Sequence, residues 1–114
     1  MKIKELQEII LTYRDERNRK QFHNPKDMAI SLSLEATEVL EFFQRKNWEE
    51  LKQHIRNNKE HLAEELVDTL YWILLISSDL SIDIIDMFHK KMEKNRQKYP
   101  IEIAKNSSKK YTEL

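Results

Sequence analysis

Residues 65–76 read Glu-Leu-Val-Asp-Thr-Leu-Tyr-Trp-Ile-Leu-Leu-Ile and contain the longest apolar region of the chain. From Leu66 to Ile76 the apolar side chains go nearly all the way round a helix, and an outer helix of a small monomer would expose them to water. The run is interrupted by Asp68 and Thr69 and is too short to span a bilayer. We therefore expect a helix over about 59–80 at the centre of a bundle, packed against its own chain and against another subunit.

Patterns on both sides of this segment predict further helices. The chain has no glycine and only two prolines, which disfavours sheets joined by tight turns. We therefore predict an all-α fold of four long helices and an extra short one, in a single domain over residues 1–114 whose basic tail from about residue 101 is irregular. Apolar spacing and capping residues place the helices beside the central one at about 3–19, 25–46, 48–56 and 83–99.

The composition excludes several kinds of partner and chemistry. Charged residues make up 35% of the chain and balance to a formal net charge of zero, which argues against attraction to a nucleic-acid polymer or an anionic membrane. The chain has no cysteine, so a thiolate nucleophile and a cysteine-based zinc site are excluded. The N-terminal residues lack the apolar core of a signal peptide, and we expect a cytoplasmic protein.

Two pairs of acidic residues stand out from the other charges. Glu35 and Glu38 are three residues apart on the second helix, and Glu65 and Asp68 repeat this spacing on the central helix. Each pair points to one side of its helix, so two antiparallel helices would gather four carboxylates at one place. Oxygen ligands of this kind favour the hard cations Mg²⁺, Mn²⁺ or Ca²⁺.

A solvated helix face is the alternative interpretation of these acids, because glutamate is common on exposed helices. Glu65 and Asp68, however, lie in or beside the most hydrophobic segment, where unpaired acids are disfavoured. This context favours a metal site, in which a divalent cation would neutralise phosphate oxygens and activate a water. Glu35 and Glu38 likewise flank the apolar stripe that we predict for the second helix, namely Ala29, Leu32, Ala36, Val39 and Phe43.

The paired motif Glu35-Ala36-Thr37-Glu38 and Glu65-Leu66-Val67-Asp68 resembles that of the all-α nucleoside triphosphate pyrophosphohydrolases, the MazG-like superfamily. The similarity to the dCTP pyrophosphatase branch covers nearly the whole chain. It is carried by Glu16-Arg17 with Gln21 to Lys26, by residues 34–44, and by Lys91-Met92, Asn95-Arg96, Tyr99-Pro100 and residues 107–114.

The resemblance implies a four-helix bundle assembled as a dimer or tetramer, with Mg²⁺ (or Mn²⁺ as a substitute) on the four carboxylates. It implies water attack on the α-phosphate, which gives a nucleoside monophosphate and pyrophosphate. Matching positions imply phosphate binding by Lys91, Asn95, Arg96 and Tyr99 and a base and sugar pocket with Phe22, His23 and Trp72. Relatives usually carry tryptophan where this chain has Arg19 and Arg45, and arginine does not replace indole around a pyrimidine, so preference for cytosine does not follow.

The expected function is thus hydrolysis of a nucleoside triphosphate, such as dCTP or a modified nucleotide, in cleaning the nucleotide pool. A ferritin-like di-iron protein would need Glu-x-x-His motifs, which neither acidic pair supplies. A non-catalytic helical module that binds a partner and has only kept the fold stays open at this point.

Overall fold

The computed structural model describes residues 1–44 and 46–113, and within them the regular structure is helical throughout. This confirms the predicted all-α class. Short 3₁₀ turns lie at Lys20–Phe22 and Tyr111–Glu113. The tail from residue 101, which we expected to be irregular, is partly regular, because it contains the second of these turns and the short helix Ile101–Ala104. The helices are α1 (Ile3–Glu16), α2 (Pro25–Phe43), α3 (Trp48–Asn57), α4 (Lys59–Asp79), α5 (Ile84–Lys98) and α6 (Ile101–Ala104).

Side-chain caps set the starts of three helices, as the sequence predicts. Asn24 Oδ1 accepts the Asp27 N–H at 2.9 Å, and Pro25 follows at the first position of α2. Asn47 Oδ1 accepts the Glu50 N–H at 2.9 Å and so opens α3. The same kind of cap, from Asp83, begins α5. Each cap satisfies a backbone donor that the first helical turn leaves unpaired.

Two helices end earlier than predicted. Helix α1 stops at Glu16, three residues before the predicted end, because Asn18 adopts a left-handed backbone with φ of 50°. Asparagine tolerates this conformation better than most residues, and it turns the chain out of the helix. Helix α2 stops at Phe43, where Gln44 takes an extended backbone with ψ of 143°.

Residues 1–81 form a compact unit around α4. Helix α4 packs against α1, α2 and α3, which confirms its predicted central place. Residues from 82 onward, with α5 and α6, form a second compact unit. In the described residues, no helix is both long enough and apolar enough to cross a membrane. The apolar core consists of Met28, Phe42, Leu74 and Leu75.

A buried ion pair joins α1 to the end of α4. The Arg14 guanidinium donates from Nη1 to Asp79 Oδ2 at 2.7 Å and from Nη2 to Oδ1 at 2.8 Å. The side chain of Arg14 is only 2% exposed and that of Asp79 16%. Removing one partner of such a pair leaves the other charge buried without compensation, which costs more than the pair itself contributes.

The substitution Asp79→Asn should therefore lower the free energy of unfolding by about 3 kcal/mol. The matched change Glu49→Gln, at an exposed partner of Lys52, should cost less than about 1 kcal/mol. Urea unfolding followed by circular dichroism measures both. Equal stability of the two variants would show that the buried pair contributes nothing.

The same pair gives the stability a defined dependence on pH. The hydrogen bond from Arg14 is the largest effect on the Asp79 carboxyl, and together with the Arg14 charge it lowers the pKa of Asp79 despite burial. A lowered folded pKa contributes stability above the unfolded value of about 3.9 and loses it as the pH falls through the folded value. The stability difference between wild type and Asp79→Asn should thus shrink below about pH 4; a difference unchanged in stronger acid would contradict this.

Candidate functional site

Helices α2 and α4 run antiparallel, because contacts at both of their ends pair early residues of one with late residues of the other. The ring of His23, just before α2, lies 5.3 Å from the Trp72 ring late in α4. Phe42 at the end of α2 lies 5.9 Å from the His61 ring near the start of α4. Glu35 of α2 therefore meets the acidic pair of α4.

The structure gathers the four carboxylates that the sequence singles out. Glu35, Glu38, Glu65 and Asp68 each offer an oxygen, and these oxygens all lie within 4.8 Å of one another. We call this group the carboxylate cluster. Glu35 and Glu65 are partly buried, whereas Glu38 and Asp68 are more exposed. The arrangement follows from the spacing within each pair and from the antiparallel packing.

The buried face of α2 explains why Glu35 points inward. Met28, Glu35 and Phe42 follow one another at intervals of seven residues, or about two helical turns. Met28 and Phe42 are buried core residues, so Glu35 lies on the same inward stripe. Of the predicted stripe, Leu32, Val39 and Phe43 are partly buried, whereas Ala29 and Ala36 are exposed.

The carboxylate cluster is electrostatically incomplete. Among the described residues, Glu35 Oε2 and Glu65 Oε2 are buried oxygens without a hydrogen-bond partner. Burial, followed by the charge of Glu38, raises the pKa of Glu35. A hydrogen bond shared with the Glu38 carboxyl, followed by burial, raises the pKa of Glu65. His61, 3.6 Å from Glu65, lowers the pKa of Glu65 but does not offset these effects. Both shifts therefore mean that burial and the neighbouring acids disfavour the ionised carboxylates.

A hard divalent cation fits this donor set. Such a cation takes oxygen ligands from carboxylates, and it would satisfy the two orphaned oxygens while removing the repulsion within the cluster. Magnesium keeps several waters when it binds to carboxylates, which leaves positions for phosphate oxygens. The residues present are thus suited to the metal that the sequence suggests.

A cavity of about 390 Å³ lies beside the cluster, and we call it the aromatic cavity. Tyr71 packs edge to face on Tyr13, with ring centres 6.3 Å apart, and on Trp72 at 5.2 Å. The size suits a small planar ligand, and two cluster members stand in its wall. Its lining consists of Ile9, Ile10, Tyr13, Arg19, His23, Glu35, Asp68, Tyr71 and Trp72.

A second cavity, of about 460 Å³, meets the other two members of the cluster. We call it the polar cavity. Its lining consists of Glu38, Glu41, Phe42, Lys46, His54, His61 and Glu65. Because α2 and α4 are antiparallel, this cavity lies toward the start of α4, whereas the aromatic cavity lies toward its end. The carboxylate cluster stands between the two.

The predicted base-pocket residues have different positions. His23, Trp72 and Arg19 line the aromatic cavity, whereas Phe22 is 68% exposed and is not in the lining that the described residues define. Arg45 lies outside the described residues.

The predicted phosphate-binding residues all belong to the second compact unit. Lys91, Asn95 and Arg96 lie on α5, and Tyr99 follows directly after it. The Arg96 guanidinium donates to Glu93 at 3.0 Å. Their role in phosphate binding stays a prediction.

The sequence did not predict the contact between Arg14 and His23. Arg14 Nη1 lies 3.4 Å from His23 Nδ1 while it also holds Asp79. Burial, followed by the Arg14 charge, lowers the pKa of His23, so its ring is neutral at neutral pH.

Sequence reasoning also missed Tyr13 and Tyr71, which line the aromatic cavity. Tyr71 follows Asp68 by one helical turn, a spacing that could have identified it.

Comparisons with known proteins agree with this geometry. The model of the MazG-like family matches residues 30–114. The chain belongs to the MazG-like family. Over 98% of its length it is 32% identical to human dCTP pyrophosphatase 1 and 31% identical to the rat protein, and it covers 67% of each. A pyrophosphatase of known crystal structure from Archaeoglobus fulgidus superposes with a TM-score of 0.80 at 36% identity, over 85% of this chain and 91% of that one.

These findings confirm the resemblance to the MazG-like family and its dCTP pyrophosphatase branch. The family match begins within α2 and includes both acidic pairs. The solved pyrophosphatase extends the agreement to the three-dimensional fold.

Metal binding to the carboxylate cluster should be visible as stabilisation of the fold. At a hundredfold excess over its dissociation constant, Mg²⁺ or Mn²⁺ should stabilise the native state by about 2.7 kcal/mol, which differential scanning fluorimetry detects as a higher Tm. Glu35→Gln should lose most of this shift. Glu64→Gln, an equal change at the exposed neighbour of Glu65, should keep it.

In the absence of metal, Glu35→Gln should stabilise the fold. The raised pKa of Glu35 means that its ionised form destabilises the fold at neutral pH, and the amide of Gln removes that charge. The metal-free variant should therefore melt at a higher temperature than metal-free wild type. A lower Tm would show that repulsion within the cluster is not the dominant effect.

Proposed function

We propose that this protein is a metal-dependent nucleotide pyrophosphohydrolase that converts a nucleoside triphosphate and water into the monophosphate and pyrophosphate. Its membership in the MazG-like family and its similarity to proteins named dCTP pyrophosphatase support the reaction class. The observation that carries the proposal is the shared wall between the carboxylate cluster and the aromatic cavity. Glu35 and Asp68 belong to both.

The four cluster carboxylates would hold Mg²⁺. When bound, the cation supplies charge neutralisation for phosphate oxygens and lowers the pKa of a coordinated water. The protein residues supply the orientation. A base held among Tyr13, Tyr71 and Trp72 would bring the α-phosphate to Glu35 and Asp68 at the edge of the cavity. Positioning of this kind converts a bimolecular reaction into an effectively unimolecular one.

The aromatic cavity suits a pyrimidine deoxynucleotide, such as dCTP, or a nucleotide with a modified base, and a role in cleaning the nucleotide pool. His23 is held by Arg14 at Nδ1, so a neutral ring would carry its proton on Nε2 and could donate it to a base carbonyl. Arg19 adds a planar cation to the lining, which can stack on a base but encloses it less completely than tryptophan.

A dimer or tetramer completes the proposal. Leu66, Val67 and Leu70 of α4 are 52%, 61% and 40% exposed in the single chain. Contiguous apolar surface of this kind is typical of an interface between protein chains. The covering of this face by a second copy would explain why the sequence of α4 is apolar nearly all the way round.

A partner-binding module without activity is the competing function. The two functions differ in the cluster, because such a module would have no use for two buried carboxylate oxygens without partners. Unsatisfied buried charges reduce stability, and their presence favours a site that binds a cation.

Hydrolysis is tested by incubating a panel of ordinary and modified triphosphates with Mg²⁺ and separating the products by chromatography. Monophosphate and pyrophosphate are expected. Glu35→Gln and Asp68→Asn should lower kcat/KM by at least about 10²-fold, and Glu64→Gln should leave it unchanged. Diphosphate and phosphate as products, or full activity in Asp68→Asn, would contradict the proposal.

Base preference is tested by returning an aromatic ring to the cavity wall. Arg19→Trp should raise kcat/KM for dCTP relative to the other nucleotides, because an indole offers a larger stacking surface to the pyrimidine. Arg56→Trp, an equal change at an exposed site on α3, should not alter the ranking. An unchanged ranking in both variants would show that Arg19 does not influence base choice.

A further inference from the structure

We propose that Arg14 and Asp79 are positioning residues of the proposed reaction, which together fix the ring of His23 so that its Nε2 proton is presented to the aromatic cavity. This inference rests on the proposed function and deepens it. Neither Arg14 nor Asp79 is in the lining that the described residues give the aromatic cavity, whereas His23 is. The pair therefore acts on a ligand only through His23.

A further cavity, of about 420 Å³, lies behind His23. Arg14, Asp79 and His23 all line it. In the linings that the described residues define, His23 is the only residue that this cavity shares with the aromatic cavity. His23 is thus the point at which the buried ion pair reaches the proposed site of the nucleotide.

The backbone of His23 is fixed on both sides. Its N–H donates to the carbonyl of Lys20 at 3.0 Å, and the next residue, Asn24, caps α2 through its side chain. The ring packs edge to face on Trp72, with centres 5.3 Å apart. This packing orients the plane of the imidazole, but it does not determine which of the two ring nitrogens carries the proton.

The contact with Arg14 determines the tautomer of His23. Arg14 Nη1 lies 3.4 Å from His23 Nδ1, and a guanidinium only donates. Nδ1 of the neutral ring therefore accepts, and the proton lies on Nε2. In the other tautomer two donors would face each other, and Nε2 would offer the cavity an acceptor instead of a donor.

Asp79 holds the guanidinium in the position that this contact needs. Its two carboxylate oxygens accept from Nη1 and Nη2 of Arg14 at 2.7 and 2.8 Å, a bidentate arrangement of fixed geometry. Nη1 carries two protons and so donates to Asp79 and to His23 at once. The side chain of Arg14 is only 2% exposed, which leaves little water to compete for these donors.

The composition of the pair indicates a role beyond stability. Arg14 Nε is buried without a hydrogen-bond partner among the described residues, and an unpaired buried donor is destabilising. Replacement of a buried ion pair by apolar residues of similar volume is often neutral or stabilising. Two apolar side chains would thus join α1 to α4 at least as well, but they would offer no donor to His23 Nδ1.

The tautomer is measured at neutral pH by long-range ¹H–¹⁵N correlation NMR of protein labelled with ¹⁵N in its histidine rings. The signals of His23 are assigned by their loss in His23→Phe. We expect the wild type to carry the proton on Nε2. The double variant Arg14→Met with Asp79→Leu removes both charges, so that neither is left buried and unpaired, and it should show a mixture of both tautomers.

A proton on Nδ1 in the wild type would overturn the proposal, as would an unchanged pure Nε2 tautomer in the double variant. Circular dichroism verifies that the double variant is folded. If it is not, Arg14→Lys takes its place, because lysine keeps the charge but lacks the planar fork that reaches two partners, and the same mixture is expected.

Hydrolysis kinetics test the consequence for the substrate. Loss of the fixed donor in the double variant should raise KM for dCTP about tenfold, the factor for one hydrogen bond. The value of kcat should stay within about twofold, because a contact with the base is equally present before and during the attack. His23→Phe should give the same change. In the His23→Phe background, removal of the pair should have no further effect, and a further rise in KM there would overturn the proposal.

Glu49→Leu with Lys52→Met is the matched control, since it removes an exposed ion pair on α3. It should alter neither the tautomer of His23 nor KM. The NMR measurement needs no turnover and therefore separates the two proposals. A wild type that hydrolyses no triphosphate would refute the proposed function, whereas the tautomer would still show whether Arg14 and Asp79 fix His23.

Discussion

The repulsion among four carboxylates between two antiparallel helices is the constraint on which the rest of this structure depends. Their oxygens lie within 4.8 Å of one another, and burial of Glu35 and Glu65 removes much of the water that would otherwise screen them. Hydrophobic packing of α4 against its neighbours holds the acids together against this repulsion. The fold thus holds together an acidic cluster whose repulsion a divalent cation would relieve.

The surroundings of the cluster are different on its two sides. Aromatic rings from α1 and α4 form one wall, whereas two imidazoles, a lysine and three glutamates line the other side. Arg14, which is held by Asp79, contacts the ring of His23 and so helps to position this residue in the wall of the aromatic cavity.

The helix caps and the acidic pairs could be predicted from the sequence because they depend on residues close together in the chain. The caps Asn24 and Asn47 act within one helical turn, and the acidic pairs need only helical spacing and an antiparallel connection. The pairing of Arg14 with Asp79, 65 residues apart, has no local signal. The contact of His54 with Phe42 likewise has no local signal, because the position of α3 is decided by tertiary contacts. The stripe of α2 was only partly predicted, since the inward face is shared by a charged residue, Glu35, and Ala29 and Ala36 are exposed.

The central claim is that water attacks the α-phosphate at the carboxylate cluster. Hydrolysis in water enriched in ¹⁸O, with mass spectrometry of both products, tests it directly. We expect one ¹⁸O atom in the nucleoside monophosphate and none in the pyrophosphate, and no incorporation above background with Asp68→Asn. Label in the pyrophosphate would place the attack on the β-phosphate and contradict the account.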